Sequence, residues 1–318
     1  MKKPLIVLTG PTAVGKTKLS IALAKAVNGE IISADSMQVY RHMDIGSAKI
    51  TPEEMDGVPH HLVDVLEPTE DFNIVLFQQM AKEAMDKIYT KGRIPILVGG
   101  TGFYIQSITR DIDFTSSNQD DHYRRELEEL AKQKGPSFLH DMLAKVDPKS
   151  AEDIHENNVK RVIRALEFYK QNGTRISEHN EEQKEHTSPY ALAYFVQNAP
   201  RPLLYERIDT RVDEMLKNGL VEEVKKLREM GCHRGMVSMQ GLGYKEILEY
   251  LDGECSLEEA VYTLKRDTRH FAKRQITWFR RENAVTWLDK QQFDYDEEKI
   301  LEYMIKELGE KGIYEKQQ

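Results

Sequence analysis

The stretch Gly10-Pro11-Thr12-Ala13-Val14-Gly15-Lys16-Thr17 follows directly on the apolar run Leu5-Ile6-Val7-Leu8-Thr9 and fits the spacing G-x-x-x-x-G-K-[ST]. That pattern has a structural context: a buried strand, a tight turn and a helix beginning near Lys16. Its glycines let backbone N–H groups converge on an anion, Lys16 adds positive charge, and the Thr17 hydroxyl is of the kind that holds Mg²⁺. A glycine turn that matches by accident is the bland alternative, and the amphipathic run Leu19-Ser20-Ile21-Ala22-Leu23-Ala24 after the loop argues against it. The chain should therefore bind a diphosphate or triphosphate along Gly10 to Thr17. Which group is transferred stays open, because the same cradle serves kinases, switches and motors.

The first hundred residues alternate in character. Strands are expected at Leu5 to Thr9, Glu30 to Ser33, His61 to Val65 and Ile94 to Val98, and helical spacing runs from Lys16 and from Phe72 to Tyr89. Such alternation predicts a parallel sheet covered by helices. Ser116-Ser117-Asn118 offers helix caps, and from Asp120 to about Gln171 the chain is charged and helical, punctuated by Gly135-Pro136 and Asp147-Pro148. Strand character returns at Ala191 to Gln197, followed by helical stretches from Leu203 to Met230 and from Leu257 to Arg281, with a last short strand at Ala284 to Leu288. The expected organisation is an α/β core in residues 1–115, a helical insertion lobe in 116–190 and a return to the core in 191–318.

At 318 residues there is ample chain for such a core. Cys232 and Cys255 lack any C-x-x-C partner and read as two reduced thiols of a cytoplasmic protein. No stretch approaches the roughly 20 apolar residues of a membrane span, so no membrane partner is expected. The formal charge of −8 disfavours a generally nucleic-acid-coating surface, yet it averages over unlike segments. Between Leu264 and Arg281 seven basic residues (Lys265, Arg266, Arg269, Lys273, Arg274, Arg280 and Arg281) face one acid, Asp267. Asp294, Asp296, Glu297 and Glu298 cluster in the closing segment.

Several residues fall where an open parallel sheet holds its ligand, just past the carboxyl ends of strands. Asp35, in Ile32-Ser33-Ala34-Asp35-Ser36-Met37-Gln38, is a candidate base, with turn capping as an equal alternative. The fourth strand runs into Gly99-Gly100-Thr101, without the aspartate that a P-loop motor places there for Mg²⁺. Gly99 and Gly100 either allow close backbone approach to a ligand, with Thr101 donating a hydrogen bond to it, or form a tight turn into a helix. Arg207 and Arg211, four apart, are placed to close over a diphosphate, although Asp209 and Asp213 offer ordinary salt-bridge partners. In the helical lobe Val159, Val162, Ile163 and Leu166 share one helix face, leaving Lys160, Arg161 and Arg164 outside, where they either lie in solvent or grip a nucleic-acid backbone. The histidines show no ligand spacing.

Taken in order, GPTAVGKT, ISADSMQVYRHMDIGSAK, GVPHHLVDV, PILVGGTGFYI, RVIRALE, GLGYKE and FAKRQITWFRR resemble the bacterial tRNA dimethylallyltransferases, also called tRNA isopentenyltransferases, from residue 4 to about residue 288. The resemblance implies a P-loop kinase-like parallel sheet with an inserted all-helical lobe. It implies transfer of a dimethylallyl group from dimethylallyl diphosphate to the exocyclic amine of the adenosine 3′-adjacent to the anticodon, in tRNAs reading codons that begin with U. Carried over by position, Gly10 to Thr17 binds the diphosphate, Asp35 is the general base and Thr101 contacts the reacting adenosine; the chemistry of the residues adds Lys16 as a catalytic charge and Mg²⁺ on Thr17, both acting on the leaving diphosphate. The stretches Asp35-Ser36-Met37-Gln38, Lys160-Arg161-Val162-Ile163-Arg164 and Met239-Gln240-Gly241-Leu242-Gly243-Tyr244-Lys245 look like the family's tRNA contacts, and Lys273 and Arg274 of the basic segment are expected to join them. The partners implied are the tRNA anticodon stem-loop and dimethylallyl diphosphate, with the enzyme acting as a monomer. Rival readings are an ATP-using small-molecule kinase, isopentenyl transfer to free adenine nucleotides, and a nucleotide-dependent switch or RNA-binding regulator without transferase activity.

Overall fold

A computed structural model describes residues 2–114, 121–185 and 187–314. Along the chain run β1 (Pro4–Thr9), α1 (Lys16–Ala26), β2 (Gly29–Ala34), α2 (Pro52–Met55), β3 (His60–His61), α3 (Ile74–Thr90), β4 (Ile94–Gly99) and α4 (Gly102–Thr109). Five helices follow: α5 (Asp121–Lys134), α6 (Pro136–Val146), α7 (Pro148–Asp153), α8 (Val159–Asn172) and α9 (Ile176–Glu185). The chain then forms β5 (Ala191–Asn198), α10 (Arg201–Lys217), α11 (Leu220–Glu229), α12 (Tyr244–Leu251), α13 (Leu257–Phe279), β6 (Thr286–Asp289) and α14 (Glu297–Glu310). Two compact units result, one formed by Met1–Thr109 with Ser188–Gln318 and the other by Arg110–Thr187. The cap residues Ser116, Ser117 and Asn118, and with them the expected boundary at 115/116, lie outside the described residues.

The α/β class expected from the alternation is the class observed. One sheet of six strands has the order β3-β2-β4-β1-β5-β6, and every pairing is parallel. β1 lies inside it with both faces covered, which is why its sequence is a continuous apolar run and not an alternating one. Leu5 and Val7 face one hydrophobic cluster, together with Phe77, Ile105 and Tyr194. Ile6 and Leu8 face the other, with Leu19, Leu23 and Met304. All four β1 side chains are fully buried, each stabilising the fold by about 1.5–3 kcal/mol.

Register places the loops. Thr9 pairs with Gly99 and Gly99 with Ala34, so Gly10, Gly100 and Asp35 each stand one residue past a single row of paired strand ends. Two local expectations are corrected. The strand expected at His61 to Val65 is only His60–His61, because Leu62 and Asp64 adopt left-handed backbone (φ 63° and 54°) that no strand continues through. The helical stretch from Leu203 to Met230 is two helices, parted at Asn218-Gly219, where Gly219 has φ 98°. The acidic residues near the C-terminus have local work: Asp296 caps α14 by accepting from Glu298 and Lys299 N–H, and Glu297 pairs with the buried Lys290.

The Arg110–Thr187 unit has its own core of Leu127, Leu139, Leu143, Val162, Ile163 and Leu166, and no strand among its described residues. At its heart is a fully buried carboxylate. Asp147 accepts from Ser150 N–H (3.0 Å) and Oγ (2.7 Å) and from Ser177 N–H (3.0 Å) and Oγ (2.7 Å), tying α7 to α9. Burial pushes its pKa up, but these donors outweigh burial and hold it below the ordinary aspartate value. A depressed carboxyl stabilises the folded state fully above its unfolded pKa, about 3.9, and the stabilisation fades as pH falls through the lower folded value. Amide exchange of α7 and α9 should accelerate on acidification below about pH 4, and Asp147→Ala should produce the same loss at neutral pH, with a cost of about 2–4 kcal/mol.

Candidate active site

Gly15 stands in left-handed conformation (φ 96°) immediately before α1, and no side chain caps that helix. A helix start without a side-chain cap leaves N–H groups directed at whatever anion sits in the loop. Lys16 Nζ donates to Gly10 O and Pro11 O, both at 2.9 Å, so the ammonium is folded over the loop that it serves. Burial first, and the charge of Arg211 second, pull its pKa from 10.5 down to about 7, against the opposing attraction of Asp35. Thr17 is exposed at the mouth of the loop.

Arg207 and Arg211 sit one turn apart on α10 and, with Ala13 of the phosphate loop and with Glu206 and Glu214 of the same helix, line a cleft of about 410 Å³. The acids that competed for them in the sequence are engaged elsewhere: Asp209 binds Arg269 at 2.6 Å and Asp213 binds Lys265 at 2.6 Å. Among the described residues neither Arg207 nor Arg211 makes an ion pair within 4.0 Å. Burial lowers the pKa of Arg211 against the fields of Glu214, Asp35 and Glu54. Two cations with unused donors beside an anion cradle suit a diphosphate.

The structure shows the turn-capping reading of Asp35 directly. Its Oδ1 accepts from Met37 N–H (2.8 Å) and Gln38 N–H (3.4 Å), forming the turn, and Oδ2 makes no hydrogen bond to the described residues. Thr101 N–H donates to Ala34 O at 3.2 Å, and its carbonyl accepts from Tyr104 and Ile105 as α4 begins. Asp35 and Thr101 are thereby linked through the residue before Asp35.

The RNA-facing expectations are narrowed. Lys160, Arg161 and Arg164 are exposed on α8, but Val162 and Ile163 are buried in the helical core and present no side chain to a partner. Met239 and Tyr244 are wholly buried, Gly241 and Gly243 are buried too, and Lys245 is within 3.6 Å of Asp267; Gln240 is the exposed residue of that stretch. The basic side of α13 also divides. Lys265, Arg266 and Arg269 are paired with acids, whereas Lys273, Arg274 and Arg281, with His270 and Trp278, line a cleft of about 420 Å³.

Two residues that sequence reasoning passed over position these loops. Glu223 of α11 accepts from Asp44, Ile45 and Gly46 N–H (2.9, 2.8 and 3.0 Å) and from Tyr244 Oη (2.9 Å), anchoring the chain that follows Asp35. That explains the burial of Tyr244: it is a buttress. Gln275 of α13 is buried, and its amide accepts from Thr12 N–H at 2.8 Å and donates to Gly100 O at 2.9 Å. Its signal was a polar residue within the buried stripe Leu264, Ala272, Gln275 and Phe279.

Residues 38–282 match the family model described as IPP transferase, and residues 3–67 match the one described as Isopentenyl transferase. A curated tRNA dimethylallyltransferase of Lachnoclostridium phytofermentans is 64% identical over 311 residues, covering 98% of this chain and 99% of its own. The chain belongs to the tRNA dimethylallyltransferase family. A member from Carboxydothermus hydrogenoformans is 51% identical over 97% of this chain and 98% of its own. The crystal structure of the full-length tRNA isopentenylpyrophosphate transferase of Bacillus halodurans matches with TM-score 0.73 and 48% identity, covering 98% of both chains. A eukaryotic dimethylallyltransferase crystallised acting on tRNA matches with TM-score 0.78 and 33% identity over 90% of this chain and 74% of its own. The sheet is thus the P-loop kinase-like sheet of this family. Among the described residues no helix is long and apolar enough to cross a membrane.

With its pKa pulled down to about 7, Lys16 is mostly neutral at pH 8 in the free protein, and an anionic ligand in the loop favours its protonated form. Diphosphate binding at pH 8 should therefore take up close to one more proton in the wild type than in Lys16→Met, and at pH 6 the difference should vanish. Calorimetry in buffers of different ionisation enthalpy measures it.

Proposed function

We propose that this enzyme transfers the dimethylallyl group of dimethylallyl diphosphate to the exocyclic amine of the adenosine 3′-adjacent to the anticodon, in tRNAs that read U-initial codons, and releases diphosphate. The observation that carries the proposal is the row of strand ends, which sets the phosphate loop, Asp35 and Thr101 side by side in a member of this family.

Adenine's exocyclic amine is a weak nucleophile, so the allylic carbon must develop positive charge as its bond to the diphosphate oxygen breaks. The bonding electrons leave with the diphosphate, where the α1 N–H groups, protonated Lys16, Arg207 and Arg211 offset the growing negative charge. The exposed Thr17 hydroxyl suits a Mg²⁺ that draws its other ligands from diphosphate and water, and no group of three or more His, Cys, Asp or Glu among the described residues is placed to hold a metal by protein ligands alone. Bound there, the ion would add charge neutralisation on the leaving group. As the C–N bond forms, Asp35 Oδ2 accepts the amine proton while Oδ1 keeps the carboxylate in its turn. Thr101 holds the incoming base. That base must leave its stack, at a cost of a few kcal/mol that is least in a single-stranded loop. The proposal places the enzyme, as a monomer, in the cytoplasm with its tRNA.

Incubation with Mg²⁺, labelled dimethylallyl diphosphate and unmodified tRNA, followed by nucleoside analysis, should put label into isopentenyladenosine beside the anticodon. Label moving from ATP into a small molecule instead would return the loop to the kinase reading. Asp35→Asn should lower kcat by about 10²–10⁴-fold with the Kd for tRNA unchanged. Replacing Lys160, Arg161 and Arg164 together with alanine should weaken tRNA binding and flatten its salt dependence by roughly one unit of slope per lost phosphate contact, leaving dimethylallyl diphosphate affinity intact. An unaltered slope would make that helix face a solvated surface only.

A further inference from the structure

Gln275 holds two substrate loops with one side chain. Its Oε1 accepts from Thr12 N–H at 2.8 Å in the phosphate loop, and its Nε2 donates to Gly100 O at 2.9 Å, in the peptide that leads into Thr101. It is 5% exposed, so these bonds form away from competing water. A Cβ on Gly100 would collide with Nε2, so the absence of a side chain there is what lets the amide reach the backbone. The same helix carries Lys273 and Arg274, exposed and free of ion pairs among the described residues, two positions before and one before Gln275.

We infer that Gln275 is a positioning residue that couples the two substrate sites: occupancy of the phosphate loop by diphosphate and docking of RNA at the 99–101 loop and α13 each fix the amide's bonds, so that binding of one raises the affinity for the other. The inference rests on the proposed function, which assigns diphosphate to one loop and the adenosine to the other. A rigid link between two loops is a two-site device whose effect is reciprocal, because the coupling free energy is the same in whichever order the ligands bind. Losing one bond uncouples the loops as surely as losing both, since each bond alone reaches only one of them.

The test is the Kd of inorganic diphosphate with Mg²⁺, measured with and without saturating unmodified anticodon stem-loop RNA. Wild type should bind diphosphate about fivefold or more tightly with RNA present. Gln275→Met, close in shape and without either bond, and Gln275→Glu, which keeps an acceptor for Thr12 and loses the donor for Gly100, should both bring that ratio to less than twofold. A purely structural role would lower the Tm and weaken both ligands while leaving the ratio unchanged, and that result overturns the inference; so does a wild-type ratio near one. If the Gln275→Met variant fails to fold, Gln275→Glu decides alone. Label transfer by wild type is run in parallel: transfer with an unchanged ratio refutes the coupling alone, and absence of transfer refutes the function on which it rests.

Discussion

The register of three parallel strands is the constraint on which the rest depends. Once Thr9, Gly99 and Ala34 are paired side by side, the next residue of each strand is delivered to one edge of the sheet, and the chemistry of the site is the identity of those residues and their followers. Register in turn follows from burial. A one-residue slip of β1 would exchange Leu5 and Val7 with Ile6 and Leu8 between two separately packed clusters. The same packing that stabilises the core therefore decides which residue of each strand is the last before the site.

Charge is handled in a comparable way. The chain brings many cations to one region, and the fold neutralises some of them with neighbouring acids while leaving others free. Asp209 and Asp213 of α10 pair with Arg269 and Lys265 of α13, which leaves Arg207 and Arg211 of the same helix without an ion pair among the described residues, in the cleft they share with Ala13. A sum of charges along the sequence cannot separate these two populations; only the pairing of helices does. At the opposite end of β2, the buried Glu30 gathers His61, Lys91 and Arg93, which gives His61 a structural partner.

The parts legible in the sequence were those with short-range causes. The phosphate loop declares its conformation through Gly15, and the apolar run of β1 declares burial on both faces; the break at Asn218-Gly219 was passed over although Asn-Gly is a turn signal. Left-handed backbone at Leu62 and Asp64 had no such signal, since neither residue type demands it, and the third strand came out shorter than its apolar pattern. The positions of Asp35 and Thr101 just past strand ends were readable because strand ends are readable. Glu223 and Gln275 were not, because their roles exist only when helices from late in the chain meet loops from early in it. Tyr244 shows the same limit from the other side: a conspicuous residue in a recognisable stretch whose side chain is spent on the interior.

The position of β5 has a consequence for how the molecule forms. Each residue of β1 finds its partner in β5 187 positions later, so the floor beneath the phosphate loop cannot close until more than half of the chain exists. Long-range parallel pairing of this kind is slow, because closure entropy is spent before any contact repays it. In chain order the Arg110–Thr187 unit falls after β1 and before β5, and it is made of helices with a core of its own. Helices of that kind collapse early, so a nascent chain would carry a finished helical unit while β1, β2 and β4 still wait, with an open strand edge, for the segment that completes the sheet.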